Sequence, residues 1–474
     1  MKKVNNMKKS LFTSILFLII LGISSCKVGP NFESPDVFTS PHFRFDSLQN
    51  DTVVNLKWWE MFQDEKLQDL VKVALQENQN VLIAARRIEQ ARAYVGQKRA
   101  DLFPSIGYEG GASRSTSMVR NSRVGPDNYY YLSPYISWEI DFWGKYRRAT
   151  EAARAELLST EYGMRNVMIT LISDVVTTYF QLLDYDQRLD IARRTLDTRT
   201  AYRNIIQERY NKGYVPELDL NQAIIQQAIA SGAVPRFERA VALTENTLSI
   251  LLGRNPGPIE NRNSLQDQVI PPPIPAGIPS ELLRRRPDIL QSEQEVAAQT
   301  AQIGVAQAMR FPSISLTGML GIASADLTGI TLGKNSIWSL SGGLLGPVFN
   351  FGKLKRQVEI ERLKTKEATL HYETKVLKAF QEVENALVEI HTYKKEHQAV
   401  DRQKKAAKNA AYLSRERYNG GVTSYLEVLD SERTLFDAEL SESETYQMQL
   451  NAYVSLYKAL GGGWISREEE NRDR

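Results

Sequence analysis

The stretch Phe103-Pro104-Ser105-Ile106 returns 208 residues later as Phe311-Pro312-Ser313-Ile314, and this recurrence sets the organisation of the whole chain. Three more landmarks keep the same offset: Gly144-Lys145 returns at 352–353, Arg209-Tyr210-Asn211 at 417–419 and Leu252-Gly253 at 460–461. Four landmarks in the same order, with no net insertion, indicate duplication of a supersecondary unit. We therefore predict a first repeat over 58–266 and a second over 267–474, with an extended proline-rich connector at 271–279.

Each repeat is predicted to pass from helix to strands and back to helix. Ala, Gln, Glu and Arg dominate the opening segments, the hydrophobic period becomes two after each Phe-Pro, and long stretches without proline follow. At 1.5 Å per residue, each proline-free stretch would form a helix of roughly 100 Å. In the first repeat the predicted elements are an opening helix at 80–101, strands at about 104–117 and 128–142, a long helix at 145–212 and a helix at 217–252. In the second repeat they are a helix at 287–310, strands at about 312–324 and 336–349, a long helix at 353–419, a helix at 425–460 and a polar tail.

The N-terminus has the pattern of a lipoprotein signal peptide. Four lysines precede a short apolar run at 11–23, and Ser24-Ser25-Cys26 follows. Cys26 is the only cysteine, so an internal disulfide is excluded; a lipidation site is predicted, and a buried free thiol is the alternative. We expect residues 1–25 to be removed, Cys26 to carry a covalent lipid, and residues 26–57 to form an extended arm. One acyl chain binds a membrane weakly, which indicates further membrane contact elsewhere, and no later segment reaches the length of a membrane helix without charges.

The alternating strands favour a membrane β-barrel over a soluble hairpin packed on a core, which is the alternative. Four strands cannot close a barrel, because the smallest barrels have about eight strands and lipid does not tolerate open sheet edges. If the strands insert, several copies of the chain must share one barrel. Two copies would give eight strands and three would give twelve with room for a lumen, and the arithmetic favours neither.

A series of motifs resembles the TolC-like family of outer-membrane efflux proteins. They are Cys26 with Val28-Gly29-Pro30, Trp58-Trp59 with Phe62 and Asp64, Ser137-Trp138-Glu139-Ile140-Asp141 with Gly144, Pro275-Ala276-Gly277-Ile278-Pro279-Ser280, and Leu282-Leu283 with Arg286-Pro287-Asp288. The resemblance implies a mainly α fold with a transmembrane β part: a trimeric twelve-stranded barrel, four strands per chain, continuous with a twelve-helix periplasmic α-barrel. It further implies a lipid-anchored outer-membrane channel of a tripartite efflux system, which conducts drugs, toxic compounds or metal ions passively. The implied partners are a homotrimer, a periplasmic adaptor and an inner-membrane pump of the resistance-nodulation-division type.

The turns after the two long helices are the candidate functional sites. Glycine in each turn permits the left-handed backbone that ends a helix, and an ordinary cationic helix C-terminus explains the residues equally well. In the TolC-like family, these turns form the periplasmic tip that contacts the adaptor protein. That implies adaptor contact by Arg209, Tyr210, Gly213, Arg417, Tyr418 and Gly421.

Beyond the second turn, Glu427 and Asp430 lie three residues apart and share a helix face. The TolC-like family has an acidic pair at these positions. The resemblance therefore implies a constriction at the tip, formed by two carboxylates from each of three copies. A solvated helix face is the alternative. The corresponding residues of the first repeat are Asp219 and Gln222, so we expect the two turns to differ.

Other functional classes find little support in the sequence. The net charge of +3 gives no basis for a nucleic-acid partner. His42, His371, His391 and His397 show no metal-ligand spacing, and neither a phosphate-binding loop nor a nucleophile elbow is present, so we expect no catalysis, metal or cofactor beyond the lipid. Two alternatives to an efflux duct remain: the duct of a type I protein secretion system, and a non-conducting coiled-coil lipoprotein.

Overall fold

The computed structural model describes residues 27–38, 43–45, 61–116, 118–119, 122–123, 127–271, 279–328 and 335–463. The signal peptide, Cys26, Trp58-Trp59, most of the connector and the polar tail lie outside these residues, so what the sequence predicts for them stays a prediction.

The described residues form helices and strands in the order that the sequence predicts. The helices are α1 (Glu65–Glu77), α2 (Gln79–Ala100), α3 (Lys145–Asn211), α4 (Glu217–Leu251), α5 (Pro279–Arg285), α6 (Pro287–Ala308), α7 (Lys353–Asn419) and α8 (Tyr425–Ala459). The strands are β1 (Ser105–Ser115), β2 (Met118–Val119), β3 (Ser122–Arg123), β4 (Asp127–Ile140), β5 (Ser313–Ser324) and β6 (Ser336–Leu345). The short elements α1, α5, β2 and β3 were not predicted individually.

The duplication is present in the backbone. Helices α3 and α7 have 67 residues each, α4 and α8 have 35 each, and α2 and α6 have 22 each. The start and end of each helix in the second set lie 208 positions after those of its counterpart. The repeat is therefore a structural unit as well as a sequence pattern.

Four strands form one antiparallel sheet in the order β1-β4-β5-β6, and β2 pairs with β3. Strand β6 ends at Leu345, four residues before the predicted end, where Gly346 and Pro347 follow and proline lacks the N–H that a ladder needs. Strand β4 ends at Ile140 because the Asp141 carboxylate caps the start of α3 instead. It accepts hydrogen bonds from the backbone N–H groups of Tyr146 and Arg147, both at 2.9 Å.

The strand register collects most of the large apolar side chains of the four strands on one face of the sheet. Trp138 lies opposite Leu316, and Ile136 lies opposite both Ile106 and Gly318. This surface, called the apolar face below, consists of Ile106, Tyr108, Leu132, Ile136, Trp138, Ile140, Ile314, Leu316, Leu320, Ile322, Trp338, Leu340 and Leu344. The opposite face carries mainly Ser, Gly, Thr and Tyr, as expected of strands with lipid on one side and water on the other.

The apolar face is exposed in the single chain. Ile106 is 79% exposed and Tyr108 is 84% exposed. A soluble hairpin packed on a core would bury this face, so its exposure favours a membrane sheet. Among the described residues, β1 and β6 each pair along one edge only, which leaves the sheet open at both sides.

The chain forms two compact units, and each contains parts of both repeats. The first comprises 27–36, 87–161 and 291–372 and contains the sheet; the second comprises the other described residues. The second unit contains the main hydrophobic core, where Tyr179 and Leu182 of α3 lie with Val383 of α7. One 18-residue window of α3 is apolar enough to cross a membrane by length and composition, but 56% of it is buried within the chain, which is typical of a core helix.

Candidate functional site: the two helical turns

The turns that follow α3 and α7 have the same backbone geometry. Gly213 in the first turn (212–216) and Gly421 in the second turn (420–424) both have φ of +75°. Their N–H groups donate to the carbonyls of Tyr210 and Tyr418, at 2.8 and 3.0 Å. An added Cβ at either glycine would have no neighbour within 4 Å, so the backbone conformation, and not space, requires glycine there.

Tyr418 connects the two turns. The guanidinium of Arg209, at the end of α3, lies 5.1 Å from the centre of the Tyr418 ring, and the centre of the Tyr425 ring lies 5.5 Å from the centre of the same ring. Tyr425 is buried with Val428 of α8 and Ile206 of α3, and this burial, followed by the nearby Glu432 charge, raises the pKa of its hydroxyl. The structure thus brings Arg209 and Tyr418 together, whereas the Tyr210 side chain is exposed.

Each carboxylate of the acidic pair has a cationic partner on the same chain. Arg417 Nη1 lies 2.9 Å from Glu427 Oε1, and the hydroxyl of Thr423 also donates to Glu427. Arg433 Nη2 lies 2.8 Å from Asp430 Oδ1, and both side chains are well exposed. The charges of the four side chains therefore sum to zero, so the acidic residues alone do not determine the net charge of this turn.

The first turn cannot form an equivalent of the Asp430–Arg433 ion pair. Asp219, Gln222 and Ile225 stand where the second turn has Glu427, Asp430 and Arg433. Gln222 cannot act as an ionised acceptor, and Ile225 cannot donate. The two turns share a backbone but differ in charge.

A second layer of charged residues lies beneath the turns. Arg415 Nε donates to Glu432 at 2.7 Å, with its guanidinium 5.4 Å from the Tyr202 ring. Arg199 is buried, donates to the Gln226 carbonyl at 3.0 Å, and has a pKa lowered by burial. Sequence analysis missed Arg199 because its partner is a main-chain carbonyl of another helix, which no side-chain motif marks.

The arm that follows Cys26 is bound at the junction between β4 and α3. Arg148 is buried and donates to the carbonyls of Val28 and Gly29, at 3.0 and 2.8 Å. Gly29 has φ of +103°, and an added Cβ would lie 2.5 Å from the Cα of Gly304. The motif Val28-Gly29-Pro30 therefore owes its glycine to close approach of two backbones, and Lys27, the neighbour of Cys26, lies at this junction.

The junction also contains a cavity of about 370 Å³. Its walls include Trp143 and Phe311, whose rings stack with centroids 4.4 Å apart, and Lys145, which is paired with Glu139 at 2.8 Å. These groups form no nucleophile with an adjacent base. In the part of the chain that the structure describes, no group of three His, Cys, Asp or Glu residues could hold a metal ion.

Two motif residues of the second unit have structural roles. Asp64 caps α1 and accepts hydrogen bonds from the Tyr179 hydroxyl at 3.0 Å and from Gln268 at 2.7 Å. Arg286 is buried, pairs with Asp288 at 2.8 Å and Glu382 at 2.7 Å, and donates to the last carbonyl of α8, Ala459, at 2.9 Å. Both residues fix the positions of helix ends.

Comparison with known proteins identifies the family that has this architecture. The family model described as outer membrane efflux protein matches residues 70–254 and 278–462, which are also 208 positions apart. The solvent efflux pump outer membrane protein SrpC of Pseudomonas putida is 32% identical over 467 residues, covering 96% of this chain and 98% of SrpC. The cation efflux system protein CusC of Escherichia coli K12 is 30% identical over 453 residues, covering 94% of this chain and 98% of CusC.

Solved structures agree with these relatives. The outer-membrane channel OprN has a TM-score of 0.86 and 28% identity, covering 93% of this chain and all of that one. The Campylobacter jejuni CmeC outer membrane channel has a TM-score of 0.87 and 26% identity, covering 94% of this chain and 97% of that one. The fold predicted from the motifs is confirmed.

Proposed function

The chain belongs to the outer membrane efflux protein family, and on that premise we propose that three copies form the duct through which a separate pump and adaptor expel small molecules. The protein is an outer-membrane channel component of an efflux system. The proposal adds the homotrimer, the periplasmic adaptor, the inner-membrane pump of the resistance-nodulation-division type, and passive conduction without catalysis or a bound cofactor.

The apolar face carries this proposal. A four-stranded sheet with one apolar face and two open edges cannot stand alone in lipid, because its unpaired N–H and C=O groups would lack partners. Two copies would give an eight-stranded barrel filled by side chains, whereas three give twelve strands and room for a lumen. The small and polar residues of the opposite face are suited to line that lumen.

The cargo is proposed at the level of class. Relatives of similar identity are named for efflux of solvents, toluene, antibiotics and cations. Because ducts of the same family conduct such different compounds, we infer that the pump, and not the duct, selects the cargo. Our proposal is therefore a conduit for small toxic compounds. The relatives named for efflux favour it over the secretion duct, and the exposed apolar face disfavours the coiled-coil spacer.

The decisive experiment measures assembly and conduction together. Purified protein in detergent is expected to have the mass of three chains and to give single-channel conductance in planar bilayers. Deletion of its gene is expected to sensitise cells to small toxic compounds, with rescue by the gene in trans. A monodisperse single chain that stays in solution without detergent would contradict the proposal.

A matched pair of variants tests the membrane face within that experiment. Leu340 belongs to the apolar face and Ser339 to the opposite face. Leu340→Arg is expected to cost roughly 2–4 kcal/mol near the bilayer midplane and to reduce the trimer found in outer-membrane fractions, whereas Ser339→Arg should assemble normally. Normal assembly of both variants would argue for a sheet with water on both faces.

Lipidation of Cys26 is a further part of the proposal. Intact mass measurement of protein extracted from membranes is expected to show a chain that begins at Cys26 and carries acyl groups. Cys26→Ser should retain residues 1–25 and lack the acyl mass, while Ser25→Ala, which keeps a small residue before the cysteine, should be processed normally. A wild-type mass that corresponds to an unmodified thiol would refute lipidation.

A further inference from the structure

We propose that the opposite face of the β1–β4 hairpin holds a binding site for an organic ammonium ion with an aromatic body. Glu109 supplies the carboxylate, the rings of Tyr131 and Tyr135 flank it, and the hydroxyl of Ser133 lies between the two tyrosines on β4. This inference rests on the proposed duct, in which the opposite face lines the lumen. It adds one chemical class of small molecule that the wall of the duct binds in transit.

The strand register gathers these residues at one place within one chain. The cross-strand pairs are Gly107 with Tyr135, Glu109 with Ser133, and Gly111 with Tyr131. Side chains on one face of a strand recur at every second residue, about 7 Å apart. Glu109 therefore stands midway between the two positions that the tyrosines face.

Both tyrosine rings lie across β1, on the two glycines that flank Glu109. An added Cβ at Gly107 would lie 2.6 Å from Cζ of Tyr135, and one at Gly111 would lie 2.7 Å from Cε1 of Tyr131. A larger residue at either position would displace the ring, so the close approach of the ring requires glycine there. The two glycines thus seat one ring on each side of the carboxylate.

Glu109 has no cationic partner in the part of the chain that the structure describes. Its side chain is exposed, and the described residues of the four strands place no lysine or arginine on the opposite face. A lone carboxylate is a poor site for calcium, which takes about six or more oxygen ligands. The open charge of Glu109 is therefore suited to a monovalent cation.

The rings beside this carboxylate favour an organic cation over an inorganic one. The face of an aromatic ring attracts an ammonium group within about 6 Å of its centre, and an aromatic body gains further by stacking on the same rings. The ring centre of Tyr129 lies 5.6 Å from that of Tyr131. The aromatic surface therefore continues along β4, with room for a ligand larger than the ammonium group alone.

Ser133 gives an independent indication of a ligand. Its side chain is fully buried, and its hydroxyl has no hydrogen-bond partner among the described residues. Buried polar groups nearly always have such a partner. The equivalent hydroxyl of the second hairpin, that of Ser341, donates to the Thr317 carbonyl at 3.5 Å. An ammonium N–H that passes between the two tyrosine rings would supply the missing partner of Ser133.

The second hairpin, β5–β6, provides a comparison within the same chain. It has the same backbone pairing displaced by 208, with Thr317 opposite Ser341 where the first hairpin has Glu109 opposite Ser133. Ser339 and Gly343 stand where the first hairpin has its two tyrosines. An acid and two rings are therefore not needed to build this kind of hairpin, and the site belongs to the first hairpin alone.

A titration of full-length trimers in detergent, followed by the NMR signals of the ligand, tests the site. The probe is 2-phenylethylammonium chloride, and 2-phenylethanesulfonate, an anion of similar shape, should bind more weakly. Glu109→Gln is expected to raise the dissociation constant of the probe about fivefold, and Tyr131→Leu and Tyr135→Leu about threefold each. Asp127→Asn is the matched control, because it removes a carboxylate from the same face roughly 20 Å along the strands.

Two further variants test the hydroxyl and the seating of the rings. Ser133→Ala should weaken binding of the probe and leave that of its trimethylammonium analogue unchanged, because the analogue has no N–H to donate. Gly111→Ala places a methyl group against the Tyr131 ring and should also weaken binding of the probe. Gly342→Ala is its control, since the added Cβ would lie 3.6 Å from Leu316, an ordinary contact.

The outcomes separate this site from the duct itself. Wild-type trimers that conduct but bind the sulfonate as well as the ammonium probe would overturn the site alone. So would equal dissociation constants for wild type, Glu109→Gln and Asp127→Asn. Wild-type protein that forms neither trimers nor channels would overturn the proposed duct, and the site with it.

Discussion

Replacing Arg286 by alanine is expected to lower the free energy of unfolding by about 3 kcal/mol, because it removes a buried cation and leaves the largely buried carboxylate of Asp288 without its partner. Arg286 is 6% exposed and pairs with Asp288 at 2.8 Å and Glu382 at 2.7 Å. It also donates to the Ala459 carbonyl at 2.9 Å, at the end of the helix that carries the acidic pair. The measurement is the urea midpoint of the helical circular dichroism signal in detergent.

Asn78 provides the matched control for Arg286. It occupies the equivalent position of the first repeat and donates to Leu251, the last carbonyl of α4, at 2.9 Å. Asn78→Ala removes a neutral hydrogen bond at the same kind of joint and is expected to cost about 1 kcal/mol. If Arg286→Ala costs no more than Asn78→Ala, the ion pairs contribute nothing beyond the carbonyl contact.

The Arg286 effect should depend on pH with a defined sign. Burial alone would raise the pKa of Asp288, but the hydrogen bond and charge of Arg286 outweigh it, so the pKa lies below the ordinary value of 3.8. A carboxyl with a lowered folded-state pKa stabilises the fold above the unfolded pKa, and this contribution is lost as the pH falls through the folded pKa. The difference between wild type and Arg286→Ala should be full near neutral pH and shrink below about pH 4.

The helices and hairpins were predictable because their signals are local. Absence of proline, the change of hydrophobic period at Phe103-Pro104 and its repeat, and glycine after each long helix all act within a few residues. The order β1-β4-β5-β6 was not predicted, because the pairing of β4 with β5 joins residues from different repeats. The open edges at β1 and β6 follow from that order.

For the candidate site too, local features could be predicted from the sequence and long-range contacts could not. Gly213, Gly421 and the acidic pair follow from residue type and spacing, and the Asp430–Arg433 pair is visible as an i, i+3 contact. Arg148 was missed because the Val28 carbonyl that it binds is 120 residues away and belongs to the main chain. Groups that bind remote backbone leave no pattern of partner side chains in the sequence.

Neutralising both acids of the second turn is expected to make the duct prefer anions. Arg417, Arg433, Glu427 and Asp430 balance one another in each chain. Glu427→Gln with Asp430→Asn leaves both arginines, an excess of two positive charges per chain and six in a trimer. Arg433→Gln has the opposite sign, because it leaves Asp430 without its partner.

Reversal potentials in planar bilayers across a potassium chloride gradient measure this effect. We expect the cation-to-anion permeability ratio to differ roughly tenfold between the double variant and Arg433→Gln in 0.1 M salt, where the Debye length is about 10 Å, and the difference to fade near 1 M. Asp219→Asn, at the position equivalent to Glu427 in the first turn, is the matched control and should shift the ratio less. Unchanged potentials in both charge variants would mean that Glu427 and Asp430 occupy a solvated helix face away from the conducting path, since six unbalanced charges at a constriction cannot be silent at low ionic strength.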